Sequence, residues 1–128
     1  MEMTIRKMKL AYILNLPSVE SANGSPYMST DVTLYDVLYT RTRYIKVCQK
    51  LLDDMRENGQ RYPILVGKAE LVCGCYGIDP MGMEDMTIVG DGHHRAACAI
   101  ALGWAEMDVT DDPSETGRAD EQQWGCDH

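Results

Sequence analysis

The apolar positions of this chain change their spacing several times, and each change predicts a change of element. Met8 to Leu16 reads MKLAYILNL, a mostly apolar run with aromatic and β-branched members closed by Pro17, and it predicts a strand. Ser18 to Met28 then gathers Ser, Asn, Gly and Pro, with Asn23-Gly24 as a turn, and predicts a loop. Between Val32 and Tyr39 the residues Leu34, Val37 and Leu38 recur at helical offsets behind the cap candidates Ser29, Thr30 and Asp31. A stronger helix is predicted from Arg43 or Tyr44 to Asn58, because Tyr44, Cys48, Leu51, Leu52 and Met55 share one face and Asn58-Gly59 supplies a stop. Pro63 opens PILV, a buried-strand pattern ending at Gly67, and Ala69 to Cys75 is read as a further strand.

Tyr76 to Met86 contains Gly77, Pro80 and Gly82 and predicts a connection in which Met81, Met83 and Met86 fill gaps. Thr87 to Val89 resumes a strand and Gly90 to Gly92 turns. His93 to Leu102 then forms a helix with side chains small enough to lie close to a sheet, and Gly103 ends it. Glu106 to Val109 returns as a strand. The pattern implies an α/β (α+β) fold, a small mixed sheet packed with helices over residues 1–109. From Thr110 the chain is polar and acidic, so residues 110–128 are expected to form a flexible tail in which Trp124 is able to dock on the body.

Composition narrows the function classes. With 128 residues and 45% hydrophobic content, the chain supports one domain with an ordinary core. Its five cysteines are odd in number and irregularly spaced, and no apolar signal region opens the chain. A disulfide framework is therefore not expected, and a reducing, cytoplasmic setting is. No apolar stretch approaches the roughly 20 residues of a membrane span. The net charge of −8 works against non-specific binding to nucleic acid. Arg41, Arg43, Lys46 and Lys50 gather positive charge locally, either as a nucleic-acid approach or as the solvated face of a helix.

The chemistry concentrates in IVGDGHHRAACAIALG, residues 88–103. A strand that turns through Gly90-Asp91-Gly92 straight into a helix exposes the helix's first amide hydrogens, whose partial charge attracts anions. Glycines let a ligand approach the main chain, and His93, His94 and Arg95 place donors at the same mouth, so phosphate is the expected guest. Each assignment has a plainer counterpart. Asp91 is either a Mg²⁺ or water ligand or the helix N-cap, Arg95 either grips phosphate or pairs with a surface carboxylate, and of two adjacent histidines only one readily faces a given ligand. A zinc site from His94, Cys98, Cys73 and Cys75 is a further alternative, against the view that Cys48 and Cys98 are small core residues while Cys73 and Cys75 alternate across a strand.

Gly92-His93-His94-Arg95, with a strand before it and an alanine-rich helix ending in Leu102-Gly103 after it, resembles the signature of the ParB/sulfiredoxin superfamily. The phrase Gln60-x-x-Pro-Ile-Leu-Val66 fits the same pattern, and the resemblance covers residues 8 to 109 with a long connection between Val66 and Thr87. It implies a small α/β domain whose glycine turn and helix start bind nucleotide phosphates, with Gly90, Gly92, His93, His94 and Arg95 as binding residues. Asp91, His93 and His94 would be the catalytic set, with Asp91 on Mg²⁺, and the cofactor a nucleoside triphosphate such as ATP or CTP. Members include CTP-hydrolysing partition proteins, sulfiredoxin, a free-serine kinase and proteins labelled nucleases.

The departures from that pattern matter. His93 stands where sulfiredoxin has its reactive cysteine, and the partition proteins' Gly-Glu-Arg-Arg and trailing helix-turn-helix domain are missing. The Asp-Gly-His-His-Arg string is closer to kinase-like, stand-alone members. The expectation is Mg-dependent nucleotide hydrolysis or phosphoryl transfer. The alternatives are a nuclease or nucleic-acid-binding protein and a non-catalytic acidic interaction protein.

Overall fold

A computed structural model describes residues 5–19, 32–39, 48–80 and 82–117. Its order is β1 (Ile5–Lys9), α1 (Leu10–Leu14), α2 (Leu34–Tyr39), α3 (Gln49–Asn58), β2 (Ile64–Lys68), α4 (Ala69–Tyr76), β3 (Thr87–Asp91), α5 (His93–Leu102) and β4 (Glu106–Thr110). The strands form one mixed sheet in the order β1-β4-β2-β3. β4 runs antiparallel to β1 and parallel to β2, whereas β2 and β3 are antiparallel. This is the expected α+β architecture.

Side-chain alternation along the central strands sends successive residues to opposite faces. Ile64, Val66 and Val89 join Met107 and Val109 in the larger cluster, with α1, α2, α3 and α5 packed over it. Leu65 and Ile88 point the other way and are covered by Ala69, Val72 and Cys73 of α4. The short side chains Ala96, Ala97, Cys98 and Ala99 seat α5 against the first face, and α3 lies beside it through Leu51 and Met55. Each fully buried aliphatic side chain in such a layer contributes about 1.5–3 kcal/mol.

Two segments read as strands are helical. β1 stops at Lys9, paired with Glu106, and Leu10 N–H donates to the Ala105 carbonyl as the chain turns into α1. From there Leu10 and Ile13, three apart, are the inward residues, a helical interval hidden inside a nearly continuous apolar run. α4 likewise buries Ala69, Val72 and Cys73 at helical spacing and ends on left-handed Gly77. Cys73 is therefore buried and Cys75 exposed on different faces of a helix, not across a strand.

α3 is described from Gln49, so the predicted start at Arg43 or Tyr44 lies outside the described residues, as do Arg41 and Lys46 of the basic cluster; Lys50 is exposed. Cys48, at the N-cap of α3, is disulfide-bonded, where the sequence predicts no disulfide framework. The body also continues past residue 109. β4 runs to Thr110, Asp112 caps a 3₁₀ turn at Pro113–Glu115, Thr116 is buried, and Gly117 lies against the Tyr62 ring. Trp124 lies outside the described residues.

Candidate functional site

α5 begins at His93, where the sequence places it, and no side chain caps its start. Gly92 is the N-cap at φ 95°, a left-handed conformation that glycine adopts without steric cost. The N-cap alternative for Asp91 therefore does not hold. Asp91 closes β3, and its Oδ1 accepts a 2.8 Å bond from the Gly92 N–H. Asp91 is half-buried, whereas the other residues of the motif are buried.

The glycines have packing reasons. A Cβ at Gly92 would lie 2.4 Å from Ile64 Cγ2, and one at Gly90 would lie 2.4 Å from Val72 Cγ1. Gly90 itself belongs to β3, so the turn is confined to Gly92. Both glycines admit the protein's own neighbours, Ile64 on the α5 side of the sheet and Val72 on the α4 side.

His93, His94 and Arg95 are all buried, at 2%, 2% and 3% exposure. His93 Nε2 lies 2.6 Å from Ser18 Oγ, itself inaccessible to solvent. Ser18 arrives on a short extended segment: the Val89 N–H donates to the Pro17 carbonyl, and Ser18 pairs with Val89 in parallel sense. This tie joins the chain after α1 to the first residue of α5. Its sequence context is that of a polar loop, and no local signal distinguishes Ser18 from its serine neighbours.

Arg95 turns toward α3 and the chain leading into β2. Its Nη1 donates to the Pro63 carbonyl at 3.1 Å, and its guanidinium carbon sits 5.5 Å from the centre of the Tyr62 ring, whose surface Gly117 also touches. The cavity it lines with Tyr62, Gln60 and Asp54 is about 20 Å³, room for about one water. His94 Nε2 and Arg95 Nη2 are both shut off from solvent.

Two neighbouring polar groups hold this region together. Gln60, the first residue of the Gln-x-x-Pro phrase, donates from Nε2 to the Tyr62 and Asp108 carbonyls and accepts the Asp108 N–H, extending the β2–β4 pairing beyond the strand. Arg61 grips Asp54 with Nε and Nη2 at 2.8–3.0 Å, and Asn58 adds a further donor. The Arg61 guanidinium first, then Asn58, holds the Asp54 carboxyl below its ordinary range against the opposing effect of burial.

The zinc arrangement is not formed. Cys73 packs beneath α4 on one face of the sheet and Cys98 in α5 on the other, and no three His, Cys, Asp or Glu residues converge for a metal among the described residues. Mg²⁺ makes a lesser demand, since one or two carboxylates suffice when phosphates and water complete its octahedron. Asp91, with Oδ1 engaged by Gly92, fits that role only together with a bound phosphate. Among the described residues no helix is long and apolar enough to cross a membrane.

Compared with protein-family models, curated proteins and solved structures, the chain matches none.

Proposed function

We propose that this chain binds the phosphates of a nucleoside triphosphate with Mg²⁺ where β3 enters α5, as a ParB/sulfiredoxin-like domain, and hydrolyses the nucleotide or transfers its phosphoryl group. The observation carrying this reading is the junction itself: a strand ending in half-buried Asp91, a left-handed glycine with no side chain, and a helix start that no side chain caps. Main-chain donors and the helix dipole favour anionic oxygen there, and Asp91 supplies the carboxylate that a phosphate-bound Mg²⁺ accepts.

The geometry redistributes the roles expected of the motif. Asp91, the half-buried residue of the motif, is the group that meets the ligand. His93, tied to Ser18, and Arg95, tied to Pro63 and Tyr62, set the shape of the junction from within. Nucleotide and metal then bind as one unit.

Thermal melts with ATP, CTP and GTP, each with and without Mg²⁺, test this directly. A ligand at about 100 times its Kd stabilises the folded state by about 2.7 kcal/mol. One triphosphate is expected to raise Tm with Mg²⁺, Mg²⁺ alone is not, and Asp91→Asn, which keeps the oxygen that accepts the Gly92 N–H, is expected to lose the Mg²⁺-dependent part. No shift with any of the three refutes the reading. Nicking of plasmid DNA by the wild type, lost in Asp91→Asn and with no nucleotide response, would reassign the junction to a nucleic-acid phosphate.

A further inference from the structure

On the face of the sheet opposite α5, the outer side of α4 borders an open groove of about 680 Å³ lined by Lys68, Glu70, Leu71, Gly74, Cys75 and Asp111. The helix spends Ala69, Val72 and Cys73 on the sheet, which leaves Leu71, Gly74 and Cys75 facing outward. Leu71 is 47% exposed, and a methyl added at Gly74 would meet nothing within 4 Å. A large apolar side chain on an open helix face beside a groove marks a contact surface more often than an isolated exposed leucine does.

Charge specifies what fits. The Ala69 N–H donates to the Met86 carbonyl and the Glu70 N–H to the Glu84 carbonyl, so the Glu84-Asp85 stretch is strapped to the start of α4. Glu70 and Asp111 line the groove, and Glu84 and Asp85 stand exposed beside the start of α4. Lys68 also lines the groove and lies 3.8 Å from Asp85. The surface is thus an apolar strip of Leu71, Gly74 and Cys75 with an acidic surround, on a chain of net charge −8.

We infer that the α4 groove docks a basic, amphipathic segment of a partner protein, whose apolar residues lie on Leu71 and Gly74 while its lysines or arginines meet Glu70, Glu84, Asp85 and Asp111. Complementary charge steers such a partner, and the apolar strip sets its register. A second copy of this chain is the poorer occupant, because it presents the same acidic surround and repels it. The inference stands apart from the nucleotide reading, since α4 and α5 lie on opposite faces of the sheet.

The test uses a fluorescent peptide of leucine and lysine at helical spacing, with a leucine and glutamate peptide as control. Anisotropy is read at low and physiological salt, and Cys75 serves as the footprint. Cys75 is free and exposed whereas Cys73 and Cys98 are buried, so peptide mapping after alkylation reports whether this face is covered. Binding of the basic peptide alone, slower alkylation of Cys75, and roughly tenfold weaker binding in Leu71→Ser at unchanged Tm are expected. Glu70→Lys should weaken binding further and flatten its salt dependence. Absence of binding at low salt overturns the inference. So does binding that leaves Cys75 alkylation or the Leu71→Ser affinity unchanged, which would be charge attraction elsewhere. Shielding of Cys75 that grows with protein concentration in the absence of peptide would also overturn it, by giving the groove to a second copy.

Discussion

Replacing Gly92 by alanine separates a glycine kept for a ligand from one kept for packing. Gly92 and Gly103 cap the two ends of α5 in nearly the same left-handed conformation, φ 95° and ψ 21° against φ 74° and ψ 26°. An L-residue there costs about 1–2 kcal/mol at either position. Their surroundings differ. A Cβ at Gly103 meets nothing within 4 Å, whereas one at Gly92 lies 2.4 Å from Ile64 Cγ2, 2.7 Å from its Cβ and 3.1 Å from its Cα. The last of these is backbone in β2, next to β4, so rotation of the Ile64 side chain does not relieve the contact. Overpacking of this kind adds about 1–3 kcal/mol. Gly92→Ala should therefore cost about 2–5 kcal/mol and Gly103→Ala about 1–2 kcal/mol in urea unfolding. Truncation at the contact gives a second check. Ile64→Ala alone costs about 2–5 kcal/mol, but the double variant should cost less than the sum, because each change relieves the other. Equal losses for the two glycine variants, or strict additivity with Ile64→Ala, would show that Gly92 is not held by packing.

Other perturbations follow from the same contacts. Ser18→Ala removes the bond to a buried His93 nitrogen and should cost about 1–3 kcal/mol of stability, read from the urea midpoint at unchanged m-value, while Ser18→Cys loses less. Arg95→Lys should destabilise nearly as much as Arg95→Ala, because an ammonium neither stacks on Tyr62 nor keeps the guanidinium's reach to Pro63; a melt near wild type for either would mean Arg95 is not structural. The Asp54 carboxyl titrates lower when folded than unfolded, so its share of stability is full above the unfolded carboxyl pKa of about 3.9 and drains away as pH falls through the lower folded value. Asp54→Asn should flatten the acid limb of a stability–pH curve and leave the neutral limb parallel to wild type. Gln60→Ala should release the approach to β2, detected as faster amide exchange at Asp108 than at Val66.

Legibility in the sequence followed the range of the interaction that decided each element. α5 and its limits could be read from residues 92–103 because glycines at both ends adopt left-handed backbone and small residues fill the turns between, all local effects. The PILV strand, the stop at Gly59 and the short helix before Tyr39 were equally local. Leu10–Leu14 and Ala69–Tyr76 were not, because short apolar runs carry both periods and the choice fell to where β4 stops pairing with β1 and to which face of β2 and β3 needed cover.

At the candidate site a strand, a glycine joint and a helix start with Asp91 at its edge were already written in residues 88–95, since these depend on neighbours in the chain. Tertiary structure decided which of the motif's charges meet solvent. His93 meets Ser18, 75 residues away, and Arg95 reaches Pro63, 32 residues away. A side chain on the first turn of a helix has several directions available, and only the packed surroundings, here a segment laid along β3 and a tyrosine ring before β2, select the one it takes.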